Sequence, residues 1–143
     1  QEGFALAPLF TSGSMYVSAH VGPYETDTPG HAAMRATFEA VGQTTGNLFV
    51  TAGWSSQYHL KGVLEAAIKG GDLTRAGIRR AAANVDVSSD GMMVKRSLGQ
   101  EGADVETFIG VPTSDSLSGI NVLSANYVGP SAAGYDWKSG PCG

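Results

Sequence analysis

A chain of 143 residues and 14.7 kDa with 42% hydrophobic residues is the size of one ordinary domain and carries enough apolar material for a core, which excludes a disordered segment. Only 15% of its residues are charged and the formal net charge is -4, so it offers no basic stripe to a phosphate backbone and no polybasic patch to anionic lipid. Nucleic acid is therefore excluded as an expected partner. The apolar runs are broken every few residues by Gly, Ser, Thr or a charge, far short of the ~20 apolar residues of a membrane-spanning helix, and a soluble chain is expected.

The opening stretch, QEGFALAPLF, lacks the basic start and small-residue cleavage site of a secretory signal. The chain is accordingly expected to be either cytoplasmic or a processed or truncated piece. Residues 14–21 then alternate strictly, with Met15, Val17, Ala19 and Val21 on one side and Tyr16, Ser18 and His20 on the other, the pattern of a strand with one buried face. A turn-rich loop, GPYETDTPG, follows. Thr28 and Pro29 supply a helix start, the hydroxyl as cap and the proline in the first turn. That helix is expected to run to Val41 and stop at Gly42, with Met34, Phe38 and Val41 forming its apolar stripe.

The next segment, LFVTAGWSS, reads as apolar chain leading to a second helix, with Thr51, Ser55 or Ser56 each able to cap it. The spacing predicts a helix over 55–69 with Leu60, Val63, Leu64, Ala67 and Ile68 on one face, Lys61, Glu65 and Lys69 opposite, and the Gly70–Gly71 pair as its end. A third helix has a complete start signal. Thr74 is the cap, Leu73 and Ile78 are placed for a hydrophobic staple, and Asn84 is a tolerable left-handed stop. From Val85 onward the texture changes to Gly, Ser and Asp with short strand-like runs, TFIGV and INVLSANYV, and a tail, GPSAAGYDWKSGPCG. The order of strand, three helices and short strands is α/β in character but rich in helix for a doubly wound sheet.

Catalytic chemistry finds little support. No Gly-x-Ser-x-Gly elbow is present, and the serines of SGS (residues 12–14) and GWSS read as loop serines. His20, His31 and His59 have no metal-ligand spacing and read as surface or helix-end histidines. The acidic stretches at 25–27 and 99–106 lack the spacing of a calcium loop, and Glu25 with Asp27 suits the dipole of the helix that Thr28 opens. The 20 glycines contain no dinucleotide fingerprint. No metal or cofactor is expected. The single cysteine, Cys142, excludes an internal disulfide and a thiolate cluster; it is either a plain thiol or, in an exported protein, one half of a bridge to a segment not in this sequence. Trp54 stands out. In a loop that opens a helix it is either a core plug or an aromatic wall of a ligand cleft.

Three stretches, MYVSAHVGPYETDTPGHAAMRATFEAVG, GWSSQYHLKGVLEAAIKGGDLTRAGIRRAAANV and NYVGPSAAGYDWKSGPC, together resemble the C-terminal part of the type I periplasmic binding proteins. These are the substrate-binding subunits of ABC importers for branched-chain amino acids, amides and urea. The resemblance implies an α/β chain belonging to a two-lobed fold, in which hinge closure clamps a ligand between the lobes. It implies a second-lobe strand and crossover at 14–21, a first-lobe segment at 29–110, and a return to the second lobe and tail at 118–143.

Family chains are much longer than this one. The resemblance therefore implies an N-terminal part carrying most ligand contacts, to which Cys142 could form a disulfide. On this side it leaves Trp54, with Gly53 beside it, as ligand-binding residues. It further implies a small solute such as an amino acid or amide, an ABC permease as partner, a periplasmic or extracellular location with a lipoprotein anchor as one form, and no enzymatic activity. A cytoplasmic amide or amino-acid sensor of the same fold is the alternative, and a small α/β hydrolase a remote one.

Overall fold

The computed structural model describes residues 12–94 and 106–133. Along the chain these form β1 (Val17–Ala19), α1 (Pro29–Ala40), α2 (Leu48–Lys69), α3 (Arg75–Asn84), β2 (Glu106–Pro112) and β3 (Ile120–Val128). The expected order of elements is present. The sheet is entirely antiparallel, with β2 in the middle between β1 and β3. The expected segment boundary at 110 thus falls inside β2, a strand that pairs with elements on both sides of it.

The alternation read over 14–21 survives as burial: Met15, Val17 and Ala19 are half-buried and Val21 fully buried, while Tyr16, Ser18 and His20 are exposed. The ladder to β2 covers only Val17 to Ala19, opposite Gly110 to Phe108. Beyond it the chain changes partners. The His20 carbonyl accepts from Val94 N–H at 3.3 Å, Gly22 N–H donates to the Met92 carbonyl at 2.9 Å, and Val21 bridges Met93. β2 and β3 pair closely across Gly110, where a Cβ would lie 2.6 Å from the Ile120 side chain. This is a close approach of two backbones that a side chain would push apart.

α1 begins as expected. Thr28 is extended (φ -135°, ψ 160°) and its hydroxyl accepts from His31 N–H, with Pro29 in the first turn. It ends at Ala40, one residue early for the expected stripe: Met34 is fully buried and Phe38 half-buried, but Val41 is 77% exposed because it has left the helix.

α2 departs further from expectation. It starts at Leu48, about two turns before Ser55, because Asn47 is extended (φ -124°, ψ -178°) and its Oδ1 accepts from Phe49 N–H at 3.0 Å and Val50 N–H at 3.1 Å. Ser55 and Ser56 cap nothing. Their hydroxyls turn back to the carbonyls of Ala52 (3.0 Å) and Gly53 (2.8 Å), as serines do inside a helix. Gly53 is helical too, at a cost of ~1 kcal/mol relative to alanine that a long helix tolerates.

Along α2 Val63 and Ala67 are buried, whereas Leu60 and Ile68 of the expected apolar face are 54% and 61% exposed. Gly70 stays right-handed and Gly71 (φ +70°) makes the turn. Thr74 caps α3 through Gly77 N–H at 3.1 Å, as expected. Leu73 remains 60% exposed, so no staple buries it. Asn84 stays within α3 and donates to the Arg80 carbonyl at 2.7 Å; it is not left-handed.

The core forms where α1 and α2 meet Tyr24, Met92 and Met93. Tyr24, Met34 and Met92 are its buried centre, and Phe38, Val50, Trp54, Tyr58 and Met93 pack around them. Among the described residues no helix is long and apolar enough to cross a membrane.

Candidate functional site

Two concavities of similar size lie on different surfaces. The first, about 500 Å³, lies between the loop that follows β1 (Pro23, Glu25, Thr26) and the β2–β3 hairpin, from which Val111, Asp115 and Ile120 are among the lining residues. The loop is fixed from behind by Arg35 of α1, whose Nη1 donates to the carbonyls of Tyr24 (2.9 Å) and Thr26 (3.0 Å). Glu25, held between those two carbonyls, spans 93 positions of sequence to the hairpin tip. Its Oε1 accepts from Ser118 N–H at 3.2 Å and from the Ser118 hydroxyl at 2.7 Å. Its Oε2 is closed off from solvent and has no hydrogen-bond partner. Burial pushes the Glu25 carboxyl up, but the hydrogen bonds from the Ser118 hydroxyl and N–H help to outweigh it, and the pKa lies below its ordinary value of 4.5. Glu25 is therefore charged at neutral pH.

His31, one turn before Arg35, is fully buried against the same loop. Its Nδ1 lies 2.7 Å from the Thr28 hydroxyl and its Nε2 3.3 Å from the Gly22 carbonyl. A neutral ring with its proton on Nε2 satisfies both contacts, since the hydroxyl can donate to Nδ1. Burial lowers the His31 pKa and the nearby Arg35 charge adds to this, against the raising effects of the Gly22 carbonyl and Glu25; the net position is below 6.5. The expectation of a surface or helix-end histidine is corrected in one respect. His31 is in the first turn, but inside, because residues 21–24 are buried and cover it.

The second concavity, about 580 Å³ and mostly apolar, is a groove along α2 whose walls include Trp54, Tyr58, Leu60, Lys61, Leu64 and Glu65. Trp54 sits inside the helix, which corrects its expected place in a loop before one. Its ring leans on Phe38 of α1 with centroids 5.9 Å apart and planes at 52°, a tilted aromatic pair. It is thus at once a part of the core rim and a wall of the groove. Gly53 does not line the groove; it is exposed, with nothing within 4 Å of where a Cβ would stand. Lys61 and Glu65 pair at 3.8 Å on the exposed side. Cys142 lies outside the described residues. No group of three or more His, Cys, Asp or Glu able to hold a metal ion occurs among the described residues.

Sequence reading missed Glu25 as a tertiary contact and His31 as a buried group. For His31 a signal exists: it stands three positions after a capping threonine, where a side chain reaches back to the cap. For Glu25 none exists, because its partner is remote.

The strand order and helix placement are those of part of a larger solved protein. The chain matches a solved fatty acid ABC transporter substrate-binding protein from Thermomonospora curvata with a TM-score of 0.71 at 20% sequence identity, over 84% of this chain and 32% of that one. The chain thus spans about a third of the length of the structure it matches. No family model matches the sequence, and no curated protein does.

Proposed function

We propose that this chain is part of the solute-binding component of an ABC importer, a protein that captures a small molecule between two lobes and performs no chemistry on it. The fold likeness over 84% of the chain carries this reading. The aromatic and aliphatic groove along α2 supports it, since ligand sites are mostly apolar with few polar groups. In this reading the lobes are those expected from sequence, with 14–21 and 118–143 in the second and 29–110 mostly in the first. Trp54, helped by Tyr58, supplies an aromatic wall, while the rest of the protein supplies the polar contacts. The protein works outside the cytoplasm, free or lipid-anchored, and delivers its solute to a membrane permease. Cys142 pairs with a cysteine elsewhere in the longer chain.

An amino acid or amide with an aliphatic body is the proposed solute. The solved relative is named for fatty acids, and an alkyl chain would also suit an apolar groove, with Lys61 beside it for a carboxylate. Calorimetric titration of the full-length protein against amino acids, short amides and fatty acids tests the reading. Saturable binding to one class is expected, weakened about tenfold by Trp54→Ala, the scale of one lost aromatic contact. A folded protein that binds no member of either class would overturn it.

A further inference from the structure

We propose that Asp90 is a self-modification site, at which the folded chain converts its Asp90–Gly91 peptide bond to an isoaspartyl linkage through a cyclic imide. Asp90–Gly91 is the one Asp-Gly pair in the sequence, and it forms the apex of a tight turn. Met92 N–H donates to the Ser89 carbonyl at 3.1 Å, and Asp90 (φ +50°) and Gly91 (φ +83°) are both left-handed. Three features of this turn favour the reaction. Both residues are exposed to the water that the chemistry releases and takes up. The attacking nitrogen, Gly91 N, donates no backbone hydrogen bond to a described residue. The Asp90 carboxylate receives one long contact, 3.4 Å from the Ser88 hydroxyl, and Gly91 has no side chain to crowd its approach.

Ring closure needs a rotation of the Asp90–Gly91 peptide unit. One hydrogen bond, from Gly30 N–H to the Asp90 carbonyl at 3.0 Å, opposes that rotation, and glycine accepts the new angles at little cost. The chemistry then balances with water alone. Gly91 N bonds to Asp90 Cγ, and a carboxylate oxygen leaves as water with the amide proton and one proton from solvent. Water next opens the imide. Attack at Cγ restores aspartate; attack at the former Asp90 carbonyl carbon routes the main chain through Cβ, leaves a free α-carboxylate and returns the solvent proton. The position of the turn gives this change a structural effect. A Cβ on Gly91 would stand 3.0 Å from the Thr28 side chain that opens α1, and the fully buried Met92 follows, its carbonyl accepting from Gly22 N–H at 2.9 Å. A main chain one atom longer here opens the Ser89–Met92 closure and unseats Met92, so the reaction loosens the junction of α1 with the segment after β1 as the protein ages.

The test incubates the full-length protein, folded at neutral pH, in heavy-oxygen water and maps its peptides by fragmentation mass spectrometry. One heavy oxygen atom and an isoaspartyl peptide are expected at Asp90, at several times the level found at Asp27, Asp72, Asp86 and Asp115. Asp90→Glu, whose longer side chain closes such a ring far more slowly, should abolish the label. Asp90→Asn should react faster than the parent, since ammonia leaves in place of water. Equal label at Asp115, which precedes a serine, would overturn the proposal; so would label at Asp90 that appears only in urea, because the folded turn then protects the bond. Once separated by chromatography, the isoaspartyl form is expected to exchange its Gly22 and Met92 amide protons about fivefold to tenfold faster, the scale of one lost hydrogen bond. Unchanged exchange would overturn the link to α1.

Discussion

The two concavities differ in how they are made. The groove along α2 draws its described walls from residues 54–65 of a single helix, so local sequence decides its character. The loop–hairpin cleft joins residues 23–26 to residues 111–122, and a carboxylate–hydroxyl contact across 93 positions ties its two sides together. The first is mostly apolar. The second mixes carboxylate, hydroxyl and aliphatic groups from two distant parts of the chain. A helix face can therefore be read in one dimension, whereas a cleft between a loop and a hairpin exists only once the sheet has formed.

Both surfaces rest on the Tyr24, Met34 and Met92 core, so the largest effect should erase the distinction between them. Met34→Ala, at a fully buried position, is expected to cost about 2–5 kcal/mol in urea unfolding and to loosen groove and cleft alike. If hydrogen exchange reports that only one of them opens, the core is not shared. Trp54→Ala comes next, at about 2–3 kcal/mol for a half-buried aromatic and its Phe38 contact. It should perturb amide signals of α1 and α2 and leave those of Glu25 and Ser118 in place; a shift at Ser118 would mean that the two surfaces are coupled.

Smaller again is the test of where α2 begins. Asn47→Ala should cost about 1 kcal/mol, the usual worth of a cap, while Ser56→Ala should stay within about 0.5 kcal/mol. The reverse order of effects would restore a helix start at the Trp-Ser-Ser sequence. The gentlest effect is pH dependence on the cleft side. His31 and Glu25 both have folded-state pKa values below their ordinary ones, so in each case the unfolded chain takes up its proton first as pH falls. Stability contributed by His31 is present above 6.5 and declines as pH drops below it; that from Glu25 declines below 4.5. In His31→Gln the loss beginning near 6.5 should disappear from a pH series of urea midpoints, and its persistence would assign the loss to another group.

What the sequence showed and hid follows the same divide. Thr28 with Pro29, Thr74, the Gly70–Gly71 stop and the alternation through Val21 are local signals, and each appears where local chemistry puts it. The start of α2 was hidden by too many capping residues rather than too few: Asn47, Thr51, Ser55 and Ser56 all qualify, and only the extended backbone at Asn47 decides among them. Trp54 was legible as an aromatic of consequence, but its place beside Phe38 depends on how α1 and α2 pack. Glu25 looked like a complement to a helix dipole because a residue 93 positions away leaves no trace in its neighbourhood.

The change of partners after β1 has an evolutionary consequence. Val17, Ala19 and Val21 belong to one alternating stretch, yet the first two lie in the ladder with β2 and the last bridges Met93. Adding or removing one residue between 17 and 22 would invert the inward and outward faces of whichever part slipped and unseat the other. Drift in this segment is therefore expected by replacement alone, most freely at exposed Tyr16, Ser18 and His20, while changes of length are confined to the loops around it.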